Sequence, residues 1–238
     1  MKRLIAISIL LLCPATLFEQ AIVVKHKAAA VNWTLVQTKS NYGCYGTTCS
    51  VSATVTAGNL LIMVVSSPAA IVTVYSSASG DSAWTHPATC YAISGDNGGQ
   101  YQITDCVYVL AAAGGASTFT YNWTLSADSW DLVLYEVHRS TGTAAYDTSN
   151  ANFSNACKSC VGPALTLSGS NDYIAQWISY TLPGINALSS PWTSPNLYDG
   201  GNVYGRFAGA LNQTSGSAVT WGVSGSYQYA AMSAIAFK

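Results

Sequence analysis

The sequence predicts an all-β protein, a two-sheet antiparallel β-sandwich of jelly-roll-like type stabilised by disulfides. Three observations predict it. Apolar and polar residues alternate with period two in segment after segment, short Gly, Asn and Ser turns separate these segments, and an even set of six cysteines follows a cysteine-bearing leader. No stretch carries helical periodicity with caps.

Each element follows from local pattern. In residues 119–125, FTYNWTL, every odd position is large and apolar and every even one polar, which is a strand with one buried face. Residues 132–137, LVLYEV, are apolar on both faces and read as a central strand, with SADSWD (126–131) as the turn between the two. The same strand, turn, strand grammar recurs: 51–56 leads through 57–59 into 60–65, 164–167 through 168–171 into 173–180, and 218–223 through 224–226 into 227–237. Asn59 and Asn171 lie 112 residues apart in two of these copies, which points to an internal duplication. Two copies of one four-strand unit would build a jelly roll or a related sandwich. No Pro-rich or charge-rich linker divides 31–238, which is therefore read as a single sandwich domain.

Composition excludes whole classes. Half of the 238 residues are hydrophobic and only 8% are charged, so neither disorder nor a coiled coil fits. Nine Lys plus Arg, scattered along a chain of net charge −1, supply no phosphate-tracking stripe, and no nucleic-acid partner is expected.

Lys2 and Arg3 precede an apolar run at 4–12 that Pro14 interrupts, the pattern of an export leader. Cys13 and Ala15 form a small-x-small cleavage site, favoured over a second at Ala30; lipid anchoring at Cys13 is disfavoured because Leu12 stands where such leaders carry a small residue. Cleavage after 15 leaves an extension, 16–30, whose Ile22, Val23 and Val24 form an apolar β-branched patch suited to strand exchange. No segment is long and apolar enough for a transmembrane helix. The expected location is secreted, extracellular or at the cell surface.

Cys90 and Cys106 lie eight residues either side of Gly98, the centre of the SGDNGG turn, so a hairpin closing there places them opposite each other. Cys44 and Cys49 enclose YGTT, and Cys157 and Cys160 enclose KS; local bridges are the simplest pairing, with cross-links between these two pairs also open. A redox role for the second motif would need its first Cys at a helix N-terminus, whereas a strand-like run follows.

Ionisable chemistry is sparse. Strand alternation puts Glu136 and His138 on one face, a candidate base and partner, although a lone Glu near a strand end more often serves as a hydrogen-bond acceptor. No second carboxylate suited to glycoside hydrolysis neighbours it on that strand. Asp96 and Asp199 sit in Gly-rich turns that resemble calcium loops only loosely, and turn chemistry explains them first; no cofactor is expected. Trp123, Trp177 and Trp221 lie within strands and are expected in the core. Trp84, Trp130, Trp192 and Tyr198 lie in turn-rich segments, where aromatics either stack on sugar rings or cap the end of a sandwich. Asn32, Asn122, Asn152 and Asn212 begin N-x-S/T sequons, candidate glycan attachment points.

The segments AGNLLIMVV, DLVLYEV and GSNDYIAQWISY resemble uncharacterised secreted bacterial proteins with jelly-roll-like sandwiches. The resemblance covers about half of the chain. It implies fold and export and carries no catalytic motif. Taken together, these features lead us to expect a non-catalytic extracellular structural or adhesive protein that self-associates, as a subunit of a surface assembly or filament joined by strand addition. A carbohydrate-binding module using the loop aromatics, with glycans as partners, is the alternative, and a glycan-cleaving enzyme centred on Glu136 a third.

Overall fold

A computed structural model describes residues 31–69, 72–95, 99, 101–180, 185–188, 193–197, 205–223 and 228–238. These residues form fourteen strands and a single 3-10 turn at Ala88–Cys90. The strands are β1 (Trp33–Val55), β2 (Leu60–Ala69), β3 (Tyr75–Ser79), β4 (Ala92–Ile93), β5 (Tyr101–Val109), β6 (Gly115–Arg139) and β7 (Tyr146–Cys157). They continue with β8 (Ser159–Val161), β9 (Asp172–Tyr180), β10 (Ile185–Leu188), β11 (Thr193–Leu197), β12 (Gly205–Gln213), β13 (Thr220–Val223) and β14 (Gln228–Phe237). The fold is the expected all-β, antiparallel, jelly-roll-like sandwich.

The jelly-roll order occurs twice. In the second half the main sheet runs β11-β12-β9-β14-β7 and the outer sheet β10-β13-β8. In the first half the main sheet runs β1-β6-β2-β5-β4, and an outer layer is made by bending the same long strands, with β3 added beyond β6. Counting each long strand as two, the halves have the same strand order in both sheets. The predicted duplication is therefore present at the level of topology, with eight-strand rather than four-strand copies.

Long-strand bending explains a difference from the sequence expectation. The polar segment 126–131 does not reverse the chain; β6 continues through it, and β1 accompanies it along almost its whole length. The register shifts of β1 between Asn41 and Thr48 absorb the bend, beside the Cys44–Cys49 bridge. Three expected hairpins also differ. β1 and β2 are separated by β6, β13 and β14 belong to different sheets, and residues 164–167 contribute only the isolated Leu165–Gly216 bridge. Period two identifies a strand and its buried face, but a jelly-roll connection crosses to the other layer, which local pattern does not encode.

Three apolar cores fill the layers. One lies inside the first half around Phe119, Tyr121, Trp123 and Trp130, and another inside the second around Ile174, Ile178, Tyr180 and Trp221. Between them the main sheets pack face to face, with Leu60, Ile62, Val64 and Tyr135 against Tyr173, Trp177, Phe207 and Phe237. β2 lies over β9, β5 over β14 and β1 over β12, while β7 lies under β4. Each of the two central strands β2 and β9 is buried on both faces, which accounts for their near-continuous apolar runs.

Candidate functional site

Glu136 occupies the end of β6 on the face turned toward the first core, fully buried. Three neutral donors converge on it. Oε1 accepts the Thr56 N–H at 2.8 Å and the Asn59 amide at 2.6 Å, while Oε2 accepts the Gln37 amide at 2.5 Å. Burial alone would raise its carboxyl pKa, but the donors from Gln37, Thr56 and Asn59 outweigh this and hold it below the usual value. His138, exposed at the strand end, meets Asn59 Oδ1 through Nδ1 at 3.0 Å rather than contacting Glu136 directly. An open groove of about 640 Å³ runs alongside, lined by Gln37, Lys39, Ser52, Thr54, Ser117 and Thr118. Gln37 lines that groove, whereas Glu136 does not. A carboxylate held ionised by fixed donors ties the turn at 56–59 to β1 and β6, and it is poorly poised to exchange a proton at neutral pH.

The aromatic candidates separate. Trp130 is fully buried in the first core, edge-on to Trp123 and Tyr121, with its indole N–H donated to the Gly46 carbonyl at 3.2 Å. Its expected loop position is thus corrected to a strand interior, because the bend that carries it folds inward. Trp84 is half-buried, packs edge-on against Phe119, and donates to the Gly80 carbonyl at 2.9 Å. Trp123, Trp177 and Trp221 are core residues as expected. Trp192, Tyr198, Asp96, Asp199, Ile22, Val23 and Val24 lie outside the described residues.

All six cysteines pair locally, as Cys44–Cys49, Cys90–Cys106 and Cys157–Cys160. The β4–β5 register, Ala92 opposite Thr104 and Ile93 opposite Ile103, extrapolates to Cys90 opposite Cys106. Cys157 and Cys160 join the end of β7 to β8 across the step between layers, just as Cys44 and Cys49 span the bend of β1.

Of the sequon residues, Asn32 is exposed. Asn122 donates to Ser77 Oγ and accepts from Thr48, Asn152 donates to the Val161 carbonyl, and Asn212 accepts the Trp33 N–H at 2.7 Å. These three amides take part in the hydrogen bonding that joins neighbouring strands.

Sequence reasoning missed three buried carboxyl groups, each carried by a strand. Asp105 on β5 receives the Tyr121 hydroxyl at 2.7 Å, the Cys106 N–H at 2.8 Å and His86 Nε2 at 2.8 Å, with Tyr75 stacked on the imidazole at 4.2 Å. Burial and then the Asp105 charge push the Tyr121 hydroxyl well above its ordinary pKa. Asp131 on β6 accepts the Gly43 N–H at 3.0 Å, and burial raises it to about 7 despite that bond. Asp172 opens β9 beside Asp147 of β7. An Asp inside an apolar alternation was the available signal, as in YQITDCVYV, where Asp105 breaks a buried run.

No protein-family profile, curated protein or solved structure matches the chain. Among the described residues, no helix is long and apolar enough to cross a membrane, and no group of three His, Cys, Asp or Glu side chains is placed to hold a metal ion.

Proposed function

We propose that the chain is a non-catalytic extracellular structural or adhesive protein, a subunit that joins its neighbours by strand addition. The observation that carries the reading is the contrast between two edge strands. β1 and β7 occupy equivalent edges of the two main sheets, and among the described residues β1 pairs only with β6 and β7 only with β14. Within the main sheet β1 is regular only from Gln37 to Asn41, between a register shift at Leu35–Gln37 and the bend that begins after Asn41, a short edge that offers little to pair with. β7 is regular from Thr148 to Ser154, opposite Ala236 to Ala230, and carries Phe153 at 58% exposed. A regular open edge with an exposed aromatic is a template for an added strand. The three local disulfides and the leader-like N-terminus support export. The commitment of Glu136 to fixed donors and of Trp130 to the core weighs against the catalytic and sugar-stacking alternatives.

The donor strand is assigned to residues 21–24, the apolar β-branched patch ahead of the cationic Lys25-His26-Lys27. Negative-stain electron microscopy and light scattering of the full chain, of a chain lacking residues 16–30, and of Phe153→Lys test this. Filaments or regular oligomers are expected for the full chain alone. Monomers in all three, or assemblies in all three, sink the reading.

A further inference from the structure

The two halves solve one local problem with different chemistry. Where the chain enters β2, the Thr56 N–H and the Asn59 amide both donate to Glu136. Where it enters β9, the Ser168 N–H donates to Asp147 Oδ2 at 2.7 Å, and Asp172 stands in the place of Asn59. Register establishes the equivalence. Leu60 pairs with Val137 and Tyr173 with Phe237, so Asn59 lies opposite His138 and Asp172 opposite Lys238. The edge strands agree: β1 shifts register between Leu35 and Gln37, opposite Val137 and Glu136, and β7 shifts between Tyr146 and Thr148, opposite Phe237 and Ala236.

The substitution of chemistry at this point has a consequence. An amide always has a proton to donate, whereas a carboxyl has one only when protonated. Asp172 is fully buried, its side-chain oxygens complete no hydrogen bond although the Asn171 backbone N–H is turned toward them, and its carboxyl lies within hydrogen-bonding reach of the Asp147 carboxyl. We propose that Asp172 is a proton-operated latch: protonated, it donates to Asp147 as Asn59 donates to Glu136, and ionised, it repels Asp147 and loosens the entry to β9.

The surrounding charges decide which carboxyl keeps the proton. Lys238 Nζ lies 3.4 Å from Asp147 Oδ1 and donates to Ser168 Oγ at 2.8 Å, so Asp147 is the better-stabilised anion. Arg139 lines the same 380 Å³ cavity, together with Asn171 and Gly169, and on β12 the neutral Gln213 pairs with Asp172. Burial first, then the hydrogen bond and charge of Asp147, push Asp172 up to about 6. Asp147 is held below the usual range: burial opposes this, but Ser168, Asp172 and Lys238 outweigh it. Space is equally committed, since a Cβ on Gly169 would overlap the Asp172 carboxyl.

The latch adjoins the contact between halves. The neighbouring Asn171 amide donates to the Val31 carbonyl, and its own carbonyl accepts the Trp33 indole N–H at 2.8 Å. Loosening at Asp172 therefore reaches the point where the chain enters β1. This holds whether or not the protein assembles by strand addition.

Asp172→Asn in the full chain tests the latch, because the amide it introduces would donate at every pH. The folded-state pKa of Asp172 is raised, so its favourable contribution is complete below the unfolded value and is lost as pH rises through about 6. Thermal midpoints of the two proteins are expected to be close at pH 4.5 and to diverge in favour of the variant by ~3 °C at pH 7.5. Taking the difference between the two proteins removes the titrating groups that do not contact Asp172 and leaves the response of Asp172 with its partners Asp147 and Lys238. A difference that does not change between these pH values overturns the proposal. So does stabilisation of the wild type by millimolar calcium at pH 7.5 that the variant lacks, since the pair would then share a cation. Asn59→Asp is the independent second variant: it should create the same loss with rising pH around Glu136, and a pH-independent effect there overturns the latch principle.

Discussion

The Asn59 side chain bridges two residues of β6, its amide donating to Glu136 Oε1 at 2.6 Å and its carbonyl oxygen meeting His138 Nδ1 at 3.0 Å. That single amide fixes the turn between β1 and β2 to a strand that lies between them in the sheet. Glu136→Gln would set an amide donor against the Gln37 donor or remove an acceptor from Thr56 and Asn59. A loss of about 1–3 kcal/mol is expected in urea unfolding at pH 7. Because the Glu136 pKa is lowered on folding, the contribution is present above the unfolded value and is lost as pH falls through the folded one. The gap between wild type and Glu136→Gln should therefore narrow on acidification below about pH 4.

Asp131 behaves in the opposite sense. It is buried, with Oδ2 unpartnered and a pKa of about 7, so ionising it opposes the folded state. Its favourable contribution is complete below the unfolded value and is lost as pH rises through about 7. Asp131→Asn retains an acceptor for the Gly43 N–H, and it should exceed wild type in stability by ~1 kcal/mol or more at pH 8 while gaining little at pH 4. Chemical denaturation at the two values checks this.

The disulfides should contribute unequally. Cys90 and Cys106 are 16 residues apart, against 5 for Cys44–Cys49 and 3 for Cys157–Cys160. Chain entropy assigns about 3 kcal/mol to the longest loop and about 2 kcal/mol or less to each of the others. Paired Cys→Ala variants unfolded in guanidinium should follow that order.

Gly80 and Gly58 both adopt positive φ, at 98° and 84°, but their surroundings differ. A Cβ on Gly80 would lie 2.5 Å from the Thr118 carbonyl oxygen, a backbone atom with no freedom to retreat, whereas one on Gly58 meets nothing within 4 Å. Gly80→Ala is expected to cost ~3 kcal/mol and Gly58→Ala ~1 kcal/mol in thermal unfolding. Gly80→Ala should also quench or shift the fluorescence of Trp84, whose indole binds the Gly80 carbonyl.

Local pattern carried the strands, and it carried the Cys90–Cys106 pairing because a hairpin's register is set by its own turn. It did not carry strand order. The run FTYNWTL correctly identified Phe119, Tyr121 and Trp123 as one buried face, yet the polar segment that follows bends between layers instead of reversing. Trp130 was misplaced for that reason, since a tryptophan among Ser and Asp is equally compatible with a surface turn and with the inside of a bend.

The sequence by itself determined the class of fold, the alternating faces and the Cys90–Cys106 pairing, and offered local bridges as the simplest pairing of the other four cysteines, because each depends on residues close along the chain or on side-chain chemistry alone. The tertiary structure decided which strands are neighbours, that each copy is a whole jelly roll, and what the carboxyl groups meet. Glu136 finds three donors while Asp172 finds another acid. Those outcomes depend on partners up to 99 residues away, such as Gln37 for Glu136, and a carboxyl group's role is set by the partners that folding brings to it.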